Sequence, residues 1–432
     1  MAVTALYHRL SQDTARAFQA YQVMRFLSVI AGGIVLVQLD YSDIAVGRFE
    51  WFIFGVHALS FFWAMGLKNA LLSYYPGLQP PDRRKLFGGL FLGLLLVSIL
   101  LAVLASVTGW FHYGNPLLFA AFFVFSVPGA LSEQFLIIKE KSAELLHLGL
   151  WLHGLYLMAI IIGAWWYGSL FSVFVALTLW AFIRFCYTIK LMHRSVDWHL
   201  DMKVLKPFFG FALPLVLYIL LGSGMDVIDG LIVEHFFEAE EFAKYRYGAK
   251  ELPITALLIG ALATATIPLA VENMDIAISE LKQRLNGFMN WMFPLSIGLM
   301  LASPYLYSIF YSESYIVSSQ IFNIYLLILV SRVLTPQVIL YALKENKVLM
   351  WISAIELLTN LLLSLWLMSY FGIVGIAYAT VIAYSLEKVL LWAYLKSYKA
   401  IPLSKYINVW KYIGWSVLLI ASYLFTIMTD IL

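Results

Sequence analysis

Two aspartates stand one helical turn apart inside a long apolar stretch. Asp226 and Asp229 lie in LVLYILLGSGMDVIDGLIVEHF, residues 215–236. One charged side chain near the centre of a bilayer costs about 2.5–3.5 kcal/mol on insertion scales. Two neighbouring carboxylates also repel each other unless a proton or a cation neutralises one of them. Since positions three apart share one helix face, the pair predicts a site for a coupling proton or cation.

Further oxygen-bearing side chains follow the same spacing in two later apolar stretches. Glu356, Asn360 and Ser364 lie four residues apart, and Thr380 comes after the turn near Gly372. Carboxylate, amide and hydroxyl oxygens are the ligands that hard cations prefer. The predicted coupling-ion set is Asp226, Asp229, Glu356, Asn360, Ser364 and Thr380, with Na⁺ or H⁺ as the ion. The alternative is polar packing, because Asn, Ser and Thr routinely hydrogen-bond between membrane helices.

Basic side chains inside apolar stretches indicate an anionic ligand. Arg25 lies in the first such stretch, and a guanidinium presents a fixed fork of donors that matches phosphate oxygens. Lys250 and Arg332 are further cations within apolar segments and are predicted to act with it. The alternative for Arg25 is a structural ion pair with Asp226 or Asp229.

The elements that position these residues are membrane helices. Of the 432 residues, 62% are hydrophobic and 12% are charged, whereas soluble chains are about 45–50% apolar and 25% charged. Stretches of about 20 apolar residues are long enough to span a bilayer. Thirteen are predicted: 18–39, 49–72, 86–108, 116–138, 145–166, 169–191, 207–233, 248–271, 287–310, 320–342, 348–371, 373–396 and 407–429.

The distribution of Lys and Arg predicts the orientation of these helices. Basic residues concentrate in alternate connections, and the remaining connections hold only Arg48, Lys244 and Arg246. Because cytoplasmic loops carry the excess of positive charge, the N-terminus is predicted to be cytoplasmic. The chain has no Walker A sequence and no large loop for a catalytic domain, so we expect a transporter and not an enzyme.

A short internal repeat predicts two parallel halves. YSDIAVGRFEW and AEEFAKYRYGA align Asp43 with Glu241 and Arg48 with Arg246, six helices apart. An even number of helices gives two halves of the same orientation, and transporters built this way bind substrate near the midplane. The predicted organisation is a cytoplasmic amphipathic lead-in, an N-lobe of helices 1–6, a cytoplasmic linker, a C-lobe of helices 7–12 and an appended thirteenth helix. The corresponding ranges are 1–17, 18–192, 193–206, 207–397 and 398–432.

Four segments resemble a known family over nearly the whole chain. They are VMRFLSVIAGGIVLVQLDYSDIAVGRFEWFIFGVHALSFFWAMGLKNALLSYYPG, GFALPLVLYILLGSGMDVIDGLIV, YRYGAKELPITALLIGALATATIPLAVEN and FGIVGIAYATVIAYSLEKVLLWAYL. These segments are similar to Wzx-type lipid-linked oligosaccharide flippases of the multidrug/oligosaccharidyl-lipid/polysaccharide (MOP) exporter superfamily. The odd number of helices departs from that family, whose members usually have twelve or fourteen.

The resemblance implies an all-α, MATE-like fold and a function. It implies ion-coupled translocation of a polyprenyl-pyrophosphate-linked oligosaccharide, an O-antigen or exopolysaccharide repeat unit, across the bacterial inner membrane. A cationic central cavity would receive the pyrophosphate at Arg25, with Lys250 and Arg332 adding to the positive field. Sodium-binding relatives imply Na⁺ ligands at Asp229, Asn360 and Thr380, with Ser364 where a second acid would stand.

Three other classes of membrane protein have different requirements. A multidrug or metabolite/cation antiporter of the same superfamily predicts a negative cavity, whereas an anionic lipid carrier requires a positive one. A polysaccharide polymerase or ligase would need a large external loop, and a scaffold or channel would have no transport cycle. The predicted partners are the lipid-linked glycan, membrane lipids and a polysaccharide polymerase, with no nucleic acid and no cofactor besides the coupling ion.

Overall fold

The described part of the chain consists of helices joined by short connections. The computed structural model describes residues 13–250, 266, 269–270 and 273–428. The first eight helices are α1 (Thr14–Gln38), α2 (Asp43–Tyr74), α3 (Pro80–Val107), α4 (Pro116–Gly129), α5 (Leu131–Ile138), α6 (Ser142–Tyr167), α7 (Leu170–Met192) and α8 (Met202–Phe236). The others are α9 (Ala239–Gly248), α10 (Met274–Phe310), α11 (Ile316–Leu326), α12 (Ile328–Arg332), α13 (Pro336–Ala342), α14 (Asn346–Phe371), α15 (Ile373–Lys399), α16 (Leu403–Tyr406) and α17 (Val409–Met428).

The predicted fold class, an all-helical membrane protein, is confirmed. Within the described residues, twelve helical segments are long and apolar enough to cross a membrane, with α4 and α5 counted as one segment and α11 and α12 as another. The predicted eighth span, 248–271, falls largely on residues outside the described ranges, as does most of the lead-in 1–17. The predicted orientation of the N-terminus stays a prediction.

Three details of the predicted helices were wrong. The span predicted at 320–342 is divided among α11, α12 and α13, and the break before α13 lies at Thr335, which adopts a left-handed conformation with φ of 40° directly before Pro336. The connection predicted at 272–286 is helical from Met274, and the Asn273 side chain accepts hydrogen bonds from the first free backbone amides of α10. The loop predicted around residues 234–248 contains α9, on which Lys244 and Glu240 form an ion pair four residues apart.

The chain divides into two compact units, an N-terminal unit, Met1–Ser223, and a C-terminal unit, Gly224–Leu432. The division falls within α8, and the predicted lobe boundaries stay predictions. In the N-terminal unit, α1 packs against α6, α4 packs against α7, and α3 packs against α4. Lys85 on α3 donates a hydrogen bond of 3.0 Å to Asp201, which holds the pKa of that carboxyl below its usual value.

In the C-terminal unit, α14 and α15 pack closely against each other. Gly372 joins them with φ of 59°, a conformation that costs glycine little because it has no Cβ. A Cβ on Gly375 would lie 2.3 Å from the carbonyl oxygen of Leu367 on α14. The backbones of the two helices approach this closely only because Gly375 has no side chain.

We expect Gly375→Ala to destabilise the protein by about 1–3 kcal/mol, because the added methyl group forces two packed backbones apart. The matched control is Gly298→Ala on α10, where a Cβ would meet no atom within 4 Å. Chemical unfolding in detergent measures the difference between the two variants. Equal stability of the two would contradict the close approach of α14 and α15.

Candidate functional site

A group of buried polar side chains connects three helices of the N-terminal unit. Tyr21 on α1 donates a 2.8 Å hydrogen bond to Oε1 of Glu133 on α5, and Arg184 on α7 forms an ion pair with the same oxygen. Tyr21 is fully buried and Glu133 is 3% exposed. The carboxylate of Glu133 therefore has both a neutral donor and a cation to compensate for its removal from water.

A break between α4 and α5 places Glu133 at this point. Pro128 lies in the last turn of α4 and supplies no backbone N–H. The carbonyl oxygen of Gly129 accepts hydrogen bonds from the Thr188 hydroxyl at 2.8 Å and the Ser132 hydroxyl at 2.9 Å. Because Thr188 lies on α7, one turn from Arg184, these bonds hold the start of α5 against the helix that carries the cation.

Two more cations lie within electrostatic range of Glu133, namely Lys68 on α2 and Arg25 on α1. Arg25 is exposed and Lys68 is partly buried. In the part of the N-terminal unit that the structure describes, neither side chain has a carboxylate partner. We call Arg25, Lys68, Glu133 and Arg184 the N-unit cluster. Three cations and one carboxylate give it a net charge of +2.

A second group in the C-terminal unit surrounds Asp229. The Thr380 hydroxyl donates to Oδ2 of Asp229 at 2.6 Å, and the Ser364 hydroxyl lies 3.4 Å from Oδ1. Asn360 Nδ2 donates to the Thr380 oxygen at 3.3 Å. All four side chains are fully buried. The structure thus brings Asp229, Asn360, Ser364 and Thr380 together from α8, α14 and α15, and we call them the Asp229 site.

One acceptor in the Asp229 site has no donor. The Asn360 Oδ1 atom is buried and makes no hydrogen bond within the described ranges. A pair of tyrosine hydroxyls, Tyr245 and Tyr325, lies 3.0 Å apart and interacts electrostatically with Asp229. A buried oxygen acceptor beside a carboxylate suits a hard cation. The role of these residues as ion ligands stays a prediction.

The other two residues of the predicted coupling-ion set lie outside the hydrogen bonds of the Asp229 site. Asp226 is exposed, one turn before Asp229 on α8. Glu356 is one turn from Asn360 on α14 and interacts electrostatically with Asp226, Glu387 and Lys388. The structure therefore divides the predicted set into two groups.

The cations predicted to act with Arg25 belong to the C-terminal unit, where both lie on tyrosine rings. The Lys250 ammonium is 4.7 Å from the ring centre of Tyr247. The Arg332 guanidinium is 5.0 Å from the ring centre of Tyr384 and donates to its hydroxyl at 3.0 Å. Such cation–π contacts stabilise a partly buried cation. A role of Lys250 and Arg332 in binding phosphate stays a prediction.

Reasoning from the sequence missed the combination of Tyr21, Glu133 and Arg184. Glu133 and Arg184 stand near predicted helix ends, and 51 residues separate them. Tyr21 resembles the many tyrosines of an interfacial belt. The only available signal was that two opposite charges occur in otherwise apolar helices of the same half.

Comparisons with known proteins agree on the fold. A family model described as "Lipid II flippase MurJ" matches residues 149–431. A solved structure of a lipid II flippase MurJ in an inward closed conformation has a TM-score of 0.70 at 16% identity, covering 95% of this chain and 92% of that one. No curated protein matches this chain.

Transporters of the MOP superfamily are also similar in structure. VcmN, a MATE transporter from Vibrio cholerae, has a TM-score of 0.57 at 15% identity, covering 92% of this chain and 99% of that one. A transporter from Pyrococcus furiosus, whose binding pocket is described as having reversed polarity, has a TM-score of 0.55 at 18% identity, covering 90% and 94%. At these identities the likeness shows the fold alone.

The N-unit cluster predicts an order of stabilities. Glu133→Gln leaves Arg184 as a buried cation without a counter-charge, which costs about 3–5 kcal/mol. Tyr21→Phe removes one hydrogen bond to a charged group, which costs about 1.5–3 kcal/mol. We expect chemical unfolding in detergent to rank wild type above Tyr21→Phe and Tyr21→Phe above Glu133→Gln. The exposed Glu313 provides a control, since Glu313→Gln should change stability by only about 0.5 kcal/mol or less. The reverse order of the two variants would contradict the ion pair.

Proposed function

Because the chain belongs to the lipid II flippase MurJ family, a family of lipid-linked precursor flippases in the MOP superfamily, we propose that lipid II is its cargo. In this proposal the protein moves a polyprenyl-pyrophosphate-linked glycan from the inner to the outer leaflet of the bacterial cytoplasmic membrane. No covalent bond changes, and no nucleotide is hydrolysed. The two units would expose the cargo to alternate sides of the membrane in turn.

The resemblance to Wzx-type flippases was right about the superfamily and about a lipid-linked cargo, and it was wrong about the family. The matched family model points to lipid II, a precursor of peptidoglycan, in place of an O-antigen or exopolysaccharide repeat unit. The motifs that carry the resemblance are mostly small-residue patterns, which identify the superfamily and do not separate its branches. A polysaccharide polymerase as a partner stays a prediction without support.

The net positive charge of the N-unit cluster is the observation that supports this cargo most directly. A pyrophosphate esterified at both ends keeps one ionised oxygen on each phosphate and so carries two negative charges. Arg25 and Lys68, the two cations of the N-unit cluster without a carboxylate partner in the described part of the unit, match that charge. Arg25 gives two parallel hydrogen bonds to phosphate, and Lys68 adds a point charge.

The sign of this charge also argues against a multidrug antiporter. An organic cation would be repelled by a cluster with an excess of two positive charges. The MATE transporter VcmN has a lower TM-score, 0.57, than the MurJ structure, 0.70. A binding experiment must therefore test whether the protein binds an organic cation in place of lipid II.

For the coupling ion, we propose the Asp229 site. A cation would be held by the Asp229 carboxylate together with the unpaired Oδ1 of Asn360 and the Thr380 oxygen. Ser364 supplies a hydroxyl where sodium-binding relatives are expected to have an acid, so the site has one negative charge. One carboxylate suits one monovalent ion, Na⁺ or H⁺.

Removing either unpaired cation should weaken binding of lipid II. We expect Arg25→Ala and Lys68→Met each to raise the dissociation constant about ten- to hundredfold, since a charge-assisted hydrogen bond contributes about 1.5–3 kcal/mol. Lys203→Met is the matched control, because Lys203 is exposed at the start of α8. The measurement is binding of lipid II to the purified full-length protein in detergent.

Two results would count against the proposed cargo. One is saturable binding of an organic cation with no binding of lipid II, which would favour the antiporter. The other is equal lipid II affinity of wild type, Arg25→Ala and Lys68→Met, which would separate the N-unit cluster from the phosphate.

Neutralising Asp229 should uncouple transport from its driving ion. In Asp229→Asn the amide no longer attracts a cation, so we expect transport in proteoliposomes to lose its response to Na⁺ and pH gradients. Asp275→Asn makes the same chemical change at an exposed position on α10 and should behave as wild type. An Asp229→Asn variant that responds to both gradients as strongly as wild type would rule out the Asp229 site.

A further inference from the structure

A second charged group lies one helical turn from the Asp229 site, around Glu356. Asn360 on α14 bonds to Thr380 on α15. Because α14 and α15 run antiparallel from the turn at Gly372, one turn further on each helix brings Glu356 opposite Tyr384. The Tyr384 ring lies beneath two cations, with its centre 5.0 Å from Arg332 and 5.8 Å from Lys388.

The cations of this group already have other partners. Lys388 forms an ion pair with its neighbour Glu387, and both are more than nine-tenths buried. Arg332 donates to the Tyr384 hydroxyl. The charged groups within electrostatic range of Glu356 are Asp226, Arg332, Glu387 and Lys388. With Glu356 ionised, three acids face two cations, and the net charge is −1.

Glu356 itself has no direct partner. Its side chain is 6% exposed, and across the described ranges no hydrogen bond or ion pair is made to its carboxyl group. Burial without a hydrogen bond disfavours the charged form of a carboxyl group. The extra negative charge of the group is most easily removed by a proton on this residue.

We propose that Glu356 is a proton-exchange site, distinct from the cation site at Asp229, and that the Glu387–Lys388 ion pair keeps Lys388 from neutralising it. Asp226 is exposed within electrostatic range of both Asp229 and Glu356. Its carboxylate offers a route by which a proton reaches Glu356 from the surface of the unit. A cation arriving at Asp229 lowers the negative potential at Asp226 and favours release of the proton from Glu356.

The proton can be observed without any transport. Infrared spectra of the purified full-length protein, recorded across a range of pH, report the C=O stretch of a protonated carboxyl group. We expect wild type to show this band near neutral pH, Glu356→Gln to lose the component that belongs to Glu356, and the exposed control Glu313→Gln to keep the whole band. An undiminished band in Glu356→Gln would overturn the proposal.

A second variant tests the role of the ion pair. Glu387→Gln frees Lys388, which then becomes the counter-ion of Glu356 and favours its ionised form. The band of Glu356 should therefore shrink in Glu387→Gln although Glu356 is unchanged. A purely structural role of Glu387 would leave the band at full intensity, and that result would contradict the proposed arrangement even if Glu356→Gln failed to fold.

The link to transport rests on the proposed flippase function. In proteoliposomes, we expect a pH gradient to accelerate lipid II translocation by wild type and by Glu313→Gln, and to have no effect on Glu356→Gln. Equal acceleration of Glu356→Gln would overturn a role of this proton in coupling. If wild type moved no lipid II, the proposed function would fail, while loss of the infrared band in Glu356→Gln would still establish the proton site.

Discussion

Every ionisable side chain placed within a membrane helix must be compensated by an opposite charge, a hydrogen bond, a proton or a bound ion. The cost of an uncompensated charge in an apolar medium is several kcal/mol, which is comparable to the whole stability of a domain. The two units of this protein meet that constraint in opposite ways. The N-unit cluster has more cations than acids, whereas the group around Glu356 has more acids than cations. In the proposed function, each excess attracts a mobile charge of opposite sign.

The backbone supports this arrangement through interruptions of its helices. Pro128 ends α4 and places Glu133 at the start of α5, facing Arg184. Pro336 and the left-handed Thr335 break the segment that carries Arg332. After the second break, close approaches such as that of Gly375 to Leu367 hold α14 against α15 and keep their polar faces in register. Since lipid provides no hydrophobic force between helices, this close packing and the polar bonds together stabilise the unit.

Much of the fold followed from simple sequence signals, because bilayer thickness fixes helix length and the apolar stretches are long. The Asp229 site was also predicted in part. The spacing of Asn360 and Ser364 places both on one face of α14, and the turn at Gly372 sets Thr380 opposite them. The interruption at Thr335 was missed, since Pro336 lies in a run that is apolar enough to read as one helix. The N-unit cluster was missed because its members come from four separate helices, and no periodicity relates residues on different helices.

The same limit explains why the sequence predicts a phosphate-binding role for Arg25 and not for Lys68. The sequence points to Arg25 because a guanidinium in a membrane helix is rare, but not to Lys68, which lies near the end of the predicted span 49–72. The structure places Lys68 within electrostatic range of Glu133 together with Arg25, which a count of loop charges does not reveal. The identification of the family therefore rests on the match over residues 149–431, because small-residue motifs are common to the whole superfamily.

We propose that an excess of positive charge in a helical transporter binds the pyrophosphate of a lipid that the protein moves across the membrane. The most direct test is a leaflet-accessibility assay in proteoliposomes that contain the full-length protein and fluorescent lipid II, with no nucleotide present. We expect lipid II on one side to become accessible from the other at a rate that depends on the amount of protein. Unlabelled lipid II should compete, whereas an organic cation should not. Transfer of lipid II no faster than in protein-free vesicles, together with movement of an organic cation, would contradict the proposal.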